Sequence, residues 1–321
     1  MKKKILFCSE ASWYATGYSV YTKEILSRLC QIDEFEVAEL GCYAQTSDAQ
    51  GKNIPWKFYG NKPSPDSPEY KAYQGNPSAQ FGDQSFNHVL LDFKPDIVMD
   101  IRDWWMIEYE QRSPFRDFFH WSIMPTVDAE PQADQWINTY ASADSVFAYS
   151  EFGRDTMINQ CDDINFINIA SPAASHHFSP VPDKSQHKID MGMSPDSMII
   201  GTVMRNQRRK LYPDLMQSFR RFLDEVQDPN CFLYCHTYYP DVGWDLPNLI
   251  YENGLSNRLL MTYKCKKCGN ISVDFFKDAV TICNKCNSFS NAIVGIQNPI
   301  DEKELSKIYN CFDIYVQYAN S

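Results

Sequence analysis

SMIIGTVMRNQRRKLYPDLMQSFRRFLDEV, residues Ser197 to Val226, holds three elements in succession. Met198 to Met204 is a short apolar run with β-branched residues and one glycine, too short for a helix and suited to a parallel strand covered on both faces. From Pro213 a helix follows: proline suits its first turn, and Asp214 complements its positive end. Leu215, Phe219, Phe222, Leu223 and Val226 recur at helical spacing and predict the buried face.

Between strand and helix stand Arg205, Asn206, Arg208, Arg209 and Lys210. Open α/β sheets place their ligands at the carboxyl ends of strands. Guanidinium forks and a lysine beside a helix amino terminus supply charge-assisted hydrogen bonds to phosphate oxygens. A diphosphate would be held there; a solvated basic turn fits the same residues equally well.

The rest of the chain reads as α/β as well. Its 321 residues leave room for two domains, and 44% hydrophobic residues support packed cores. A net charge of −11 confines any contact with nucleic acid or an anionic surface to a local patch. No run approaches the ~20 apolar residues of a membrane span, and Met-Lys-Lys-Lys leads straight into ILFC without a signal-peptide pattern. A cytoplasmic protein is expected.

Ile5 to Cys8 predicts the first strand, followed by a loop to Thr16 and a helix capped by Thr16 or Ser19. Gly17 would allow a positive φ or close approach of a ligand, although an ordinary strand–helix turn fits too. Phe35 to Tyr43 predicts a second strand. Asn53 to Ser85, rich in Pro, Gly and Tyr, predicts an irregular excursion, either surface decoration or an acceptor contact. Phe86 to Phe93 reads as helix and Asp96 to Ile101 as strand, leading into Arg102, Asp103, Trp104 and Trp105. Asp103 is thus a candidate ligand contact. His120 to Val127 predicts the next strand, making Asp128 a second candidate just past its end, while His120 at its start reads as structural. Pro131 to Ala141 reads as helix and Ser145 to Tyr149 as strand, with Ser150 capping the following helix. Ile164 to Ile169 closes the first sheet, and Ser171 to Asp183 is the expected linker. Cys231 to Cys235 is a strand ending at His236, a sugar contact or a core histidine. Asp301 to Tyr309 predicts a helix and Phe312 to Gln317 a last strand.

Of eleven cysteines, Cys8, Cys30, Cys42, Cys161, Cys231, Cys235 and Cys311 lie mostly in apolar segments and read as buried thiols. The other four, Cys265, Cys268, Cys283 and Cys286, form C-x2-C-x14-C-x2-C. That spacing predicts a zinc ribbon with a closed tetrahedral shell of thiolates, hence a structural Zn²⁺. Gly269 and Asn284 suit its two knuckles. The ribbon, 263–290, reads as an insertion between strands at Leu259 to Thr262 and Ala292 to Ile296. Its lysines, Lys264, Lys266, Lys267, Lys277 and Lys285, would suit nucleic acid or a protein partner; stapling one loop is the simpler role.

Several of these segments, in this order, resemble retaining GT-B glycosyltransferases of the family 4, or group 1, type. Arg205 with Lys210 five residues on resembles the donor-diphosphate loop. KKKILFCSEASWYATGYSVYTKEIL resembles the family's first strand, glycine-containing loop and helix. PTVDAEPQADQW and SVFAYSEFGRDTM resemble acceptor-domain segments, SPAASHHFSP the interdomain crossover, and KELSKIYNCFDIYVQYANS a later donor-domain run. The resemblance implies two Rossmann-like domains facing a cleft: an acceptor domain over 1–175 and a nucleotide-sugar donor domain over 176–321. It implies donor contacts at Gly17, Tyr18, Arg205, Asn206, Lys210 and His236, and acceptor contacts at Asp103, Trp104, Asp128 and Ser150. Arg205, Lys210 and Asp128 would carry catalysis. Relatives carry a His-Asp pair where this chain has Val127-Asp128. They continue past the position of Ser321 into a Glu-Gly-Phe-Gly turn and a second glutamate, so the chain is expected to be part of a longer enzyme. MRNQRRK together with an inserted ribbon resembles glycosyltransferase-like proteins of bacteriophage genomes, some relatives of which decorate modified DNA bases. That implies modified DNA as an alternative acceptor to a glycan, and host cytoplasm as the location. A non-catalytic nucleotide or nucleic-acid binding module is the competing reading.

Overall fold

The computed structural model describes residues 2–14, 16–295 and 298–319. The chain divides into two compact units, one running to Ala173 and the other from Ala174; the change falls inside the irregular Ser171–Asp183 stretch.

The first unit is a parallel sheet of seven strands: β1 (Lys3–Glu10), β2 (Phe35–Cys42), β3 (Lys57–Gly60), β4 (Ile97–Asp100), β5 (His120–Ile123), β6 (Ser145–Ala148) and β7 (Phe166–Ile169). Their order is β3-β2-β1-β4-β5-β6-β7, so the winding reverses between β1 and β4. Side chains of β1 alternate between two layers: Leu6 and Cys8 enter the core with Phe86, Phe93 and Trp121, and Phe7 enters the other with Leu26 and Val37. A strand buried on both faces reads as a continuous apolar run, which is why ILFC has no polar alternation.

One part of this core is charged. Arg102, fully buried, turns inward and sets its Nε 3.0 Å from each carboxylate oxygen of Asp100, while Nη1 donates to the Phe81 carbonyl at 2.8 Å. Glu110 accepts from Trp121 Nε1 at 2.6 Å. Burial and the nearby Asp100 charge push the Glu110 carboxyl well above its ordinary range.

The second unit has a parallel centre, β8 (Met198–Val203), β9 (Cys231–His236), β10 (Leu259–Cys265) and later β14 (Ile314–Tyr315). Between β10 and β14 come β11 (Ile271–Phe275), β12 (Thr281–Ile282) and β13 (Phe289–Ile293). The order is β12-β13-β10-β9-β8-β14, with β11 on β10, so the winding reverses between β8 and β14. Ile200, Leu233 and Cys235 face one layer with Leu215, Phe219 and Leu223; Ile199 and Tyr234 face the other with Phe312. Gly201 is required where it stands, since a Cβ there would lie 2.1 Å from the Phe312 ring.

Several expectations need correction. Asn53–Ser85 is not irregular throughout: Lys57–Gly60 pairs with β2, and helices span Glu69–Gly75 and Pro77–Phe81. The β5 strand ends at Ile123, not Val127, and the helix expected from Pro131 begins at Asp134, after a cis Glu130-Pro131 bond. Only Ile314–Tyr315 of the expected last strand is paired, and the strand expected over Ala292–Ile296 is displaced to Phe289–Ile293. Ile296, and Asn320 and Ser321 of the closing run, lie outside the described residues. Val226 is exposed, because the helix Tyr212–Val226 has left the sheet by its last turn. Cys30 is partly exposed, while the six other non-ribbon cysteines are buried.

Candidate functional site

In the second unit the basic loop leaves β8 at the β8/β14 reversal and runs into the helix Tyr212–Val226. Tyr212 is buried beneath it and donates to the Met204 carbonyl at 2.7 Å, tying the loop's start to the helix. Arg205 pairs with Asp241: Nε to Oδ2 at 2.9 Å and Nη2 to Oδ1 at 3.0 Å. The Asp241 side chain is 1% exposed and the Arg205 side chain 47%. This bidentate pair uses the Nε–Nη2 edge of the guanidinium. Burial pulls the Lys210 ammonium below its ordinary value, and Arg209 adds to the effect. Arg208 stacks on Trp244, 4.6 Å from the ring centre.

Asn206 does different work from its neighbours. It is fully buried; Nδ2 donates to the Trp244 carbonyl and Oδ1 accepts from the Trp244 amide, each at 2.8 Å. Its side-chain amide braces the loop after β9. Gly243 permits that approach, since a Cβ would lie 2.3 Å from Asn206 Oδ1. His236 sits at the end of β9 with Nδ1 2.8 Å from Thr262 Oγ1, and burial pushes its pKa down to about 4. It is a neutral histidine facing the sheet.

In the first unit, residues expected to meet a ligand collect at the carboxyl ends of β1, β4, β5 and β6. The helix Gly17–Leu29 starts at Thr16, which caps Ser19 N. Gly17 has open space where a Cβ would stand, so the fold itself does not demand glycine there. The Tyr18 hydroxyl lies 3.0 Å from Thr126 Oγ1, and burial, with Asp103 beside it, pushes its pKa up. Asp103 precedes the helix Trp104–Gln111, and Trp104 stacks on Trp136 at 5.4 Å. Asp128 is exposed and five residues beyond β5, farther out than the strand expected there implied. Ser150 caps Gly153 N at 3.1 Å. His120 lies at the opposite end of β5, 2.9 Å from Ser145 Oγ.

The four ribbon cysteines could hold a metal ion: their sulfur atoms all lie within 4.8 Å of one another. Cys265 and Cys286 are 3.6 Å apart, and Cys268 and Cys283 3.7 Å. A tetrahedron with metal–sulfur bonds of ~2.3 Å has edges of about 3.8 Å, so the spacing fits one central ion. Each knuckle closes through an amide, Gly269 N to Cys265 O and Asn287 N to Cys283 O, both 2.9 Å. Gly269 and Asn287 take positive φ, so Asn287, rather than Asn284, is the turning residue of the second knuckle.

The sequence left Asp241, Tyr238 and Trp244 unread. Their signal was HTYYPDVGW, a proline and glycine turn immediately after a buried strand.

Two Rossmann-like parallel sheets, with the cysteine cluster in the second, define the GT-B fold. No family model matches the chain, and no curated protein matches it. Solved structures do. The chain is similar over 98% of its length, and 75% of the other's, to sucrose-phosphate synthase from Thermosynechococcus elongatus, at 15% identity and a TM-score of 0.65. Over 99% of its length and 73% of the other's it is similar to a glycosyltransferase from Rickettsia africae, at 12% and 0.58. HepE of Anabaena, solved in complex with UDP, matches over 81% of this chain and 68% of its own, at 15% and 0.52. At such identities the likeness is one of fold. Among the described residues no helix is long and apolar enough to cross a membrane.

Proposed function

We propose that the chain transfers a sugar from a nucleotide diphosphate sugar to an acceptor hydroxyl with retention of configuration. The observation that carries this is the Arg205–Lys210 loop, set at the winding reversal of the second sheet and at the start of a helix. Its chemistry is electrostatic. As the glycosidic bond breaks, charge grows on the departing diphosphate; the Arg205 guanidinium and the Lys210 ammonium would stabilise it more than they stabilise the bound donor. Asp241 holds Arg205 in place, and Asn206 holds the loop that carries Asp241. Asp103, Trp104 and Asp128 are offered to the acceptor. The four thiolates would hold a structural Zn²⁺ with no open position, so the ion would fix the ribbon rather than act on substrate.

The test is donor turnover in Arg205→Ala and Lys210→Ala. Each should lose several-hundredfold or more, about 3–4 kcal/mol by analogy with removing one preorganised electrostatic donor. Arg205→Ala strands a buried carboxylate, so Arg205→Ala with Asp241→Asn serves as the folded control. Near-normal turnover in the controls and in Lys210→Ala would sink the assignment.

A further inference from the structure

The four ribbon sulfurs divide into two pairs. Cys268 Sγ lies 3.7 Å from Cys283 Sγ, and Cys286 Sγ lies 3.6 Å from Cys265 Sγ. Cys268 is exposed and Cys286 partly so, whereas Cys283 and Cys265 are buried. Each pair therefore joins a sulfur that a solute can reach to one that it cannot, and each pair runs from one knuckle to the other. More than sulfur holds the knuckles side by side. Lys266 N donates to Ser290 O at 2.9 Å, and Asn270 Nδ2 donates to Asn284 Oδ1 at 3.2 Å. Cys265 and Thr281 also both stand in register with Asn291 of the returning strand. The two pairs thus stay adjacent by virtue of the backbone.

From this arrangement we infer that the ribbon is an oxidation site, at which a peroxide converts the four thiolates into two disulfides, Cys268–Cys283 and Cys265–Cys286, and expels the metal. The inference rests on the structural Zn²⁺ proposed above. The Cys268 thiolate attacks one peroxide oxygen; the O–O bond breaks, hydroxide leaves and a sulfenic acid forms. The Cys283 thiolate then attacks that sulfur; the S–S bond forms, the S–O bond breaks and a second hydroxide leaves. Two electrons have passed from sulfur to peroxide, and two solvent protons turn the hydroxides into water. A second peroxide closes Cys286 onto Cys265 in the same way. Redox-sensing cysteines are accessible and stand beside a resolving cysteine, which is the division of labour within each pair. Four cysteines allow three pairings. In the pairing set by the structure both disulfides join the knuckles, so a covalent staple replaces the metal one; Cys265–Cys268 with Cys283–Cys286 would leave the knuckles unjoined.

The experiment treats the zinc-loaded whole chain with hydrogen peroxide, follows released metal with a chromogenic zinc chelator against a peroxide-free sample, and maps disulfides by mass spectrometry after blocking free thiols. The bound zinc should be lost in step with the appearance of the Cys268–Cys283 peptide, with Cys265–Cys286 following. Dithiothreitol with added zinc should restore the thiols and the bound metal. Cys30→Ser removes the partly exposed cysteine outside the ribbon and should give the same release and the same map. Either other pairing overturns the inference, as do sulfinic acids without disulfides, zinc retained while Cys30 is oxidised, and equal zinc loss without peroxide; each leaves the structural-metal reading standing. A chain that takes up no zinc overturns both.

Discussion

His236 gives a pH dependence whose size follows from its surroundings. Its Nδ1 shares Thr262 Oγ1 with the Tyr234 hydroxyl, which lies 3.0 Å away. Thr262 has one proton. When Tyr234 donates to it, it donates to a neutral His236; protonating Nδ1 removes that acceptor and strands the Thr262 hydroxyl proton in a buried layer. Burial accordingly lowers the pKa from 6.5 to about 4. The unfolded state then binds more protons between these values, so stability is complete above 6.5 and falls as the pH drops toward 4. Between pH 7.5 and pH 5 the linkage amounts to about 2 kcal/mol. The assay is urea unfolding of wild type against His236→Gln at both pH values, since metal loss and carboxylate titration affect both chains alike. The wild type should lose ~2 kcal/mol more than the variant. Equal losses, or a histidine NMR titration centred near 6.5, would refute the burial argument.

Two other outcomes are expected. Arg102→Met should destabilise the first unit by about 3–5 kcal/mol, because it leaves the Asp100 charge buried and unpaired; adding Asp100→Asn should recover part of this, as measured by urea midpoints. Purified protein should contain one zinc per chain, and Cys283→Ser or a chelator should release it and raise amide exchange across 265–290 while β8 and β9 stay protected; metal-free protein with an ordered ribbon would contradict this.

The parallel strands were legible because residues buried on both faces must be apolar without alternation, as in ILFC and MIIGTV. The ribbon was legible because its ligands are local pairs. What escaped depends on partners distant in sequence. Arg205 and Asp241 are 36 residues apart, and nothing local marks their pairing. Arg102 follows a strand just as Asp103 does, yet one turns into the core and the other toward the carboxyl edge. The strand Lys57–Gly60 was missed since four residues set among prolines and glycines show no period. Asn206 was expected at the donor from the resemblance, and only the position of Trp244 reveals that its side-chain amide braces the loop after β9.

The strand β10 bears one more consequence. Leu259–Met261 pair with β9 on one side, and β13 takes over that side from Tyr263 to Cys265. The opposite side, Leu260 to Lys264, is taken by β11. Without the insertion that side of an apolar strand would present unpaired amides and carbonyls, a template for association with another chain. The outgoing arm of the ribbon is therefore also a guard: it occupies the border of the sheet, and the cysteine cluster pins it there. Disrupting the cysteine cluster, as in Cys283→Ser, should accordingly raise self-association through this border, with the rate rising with concentration.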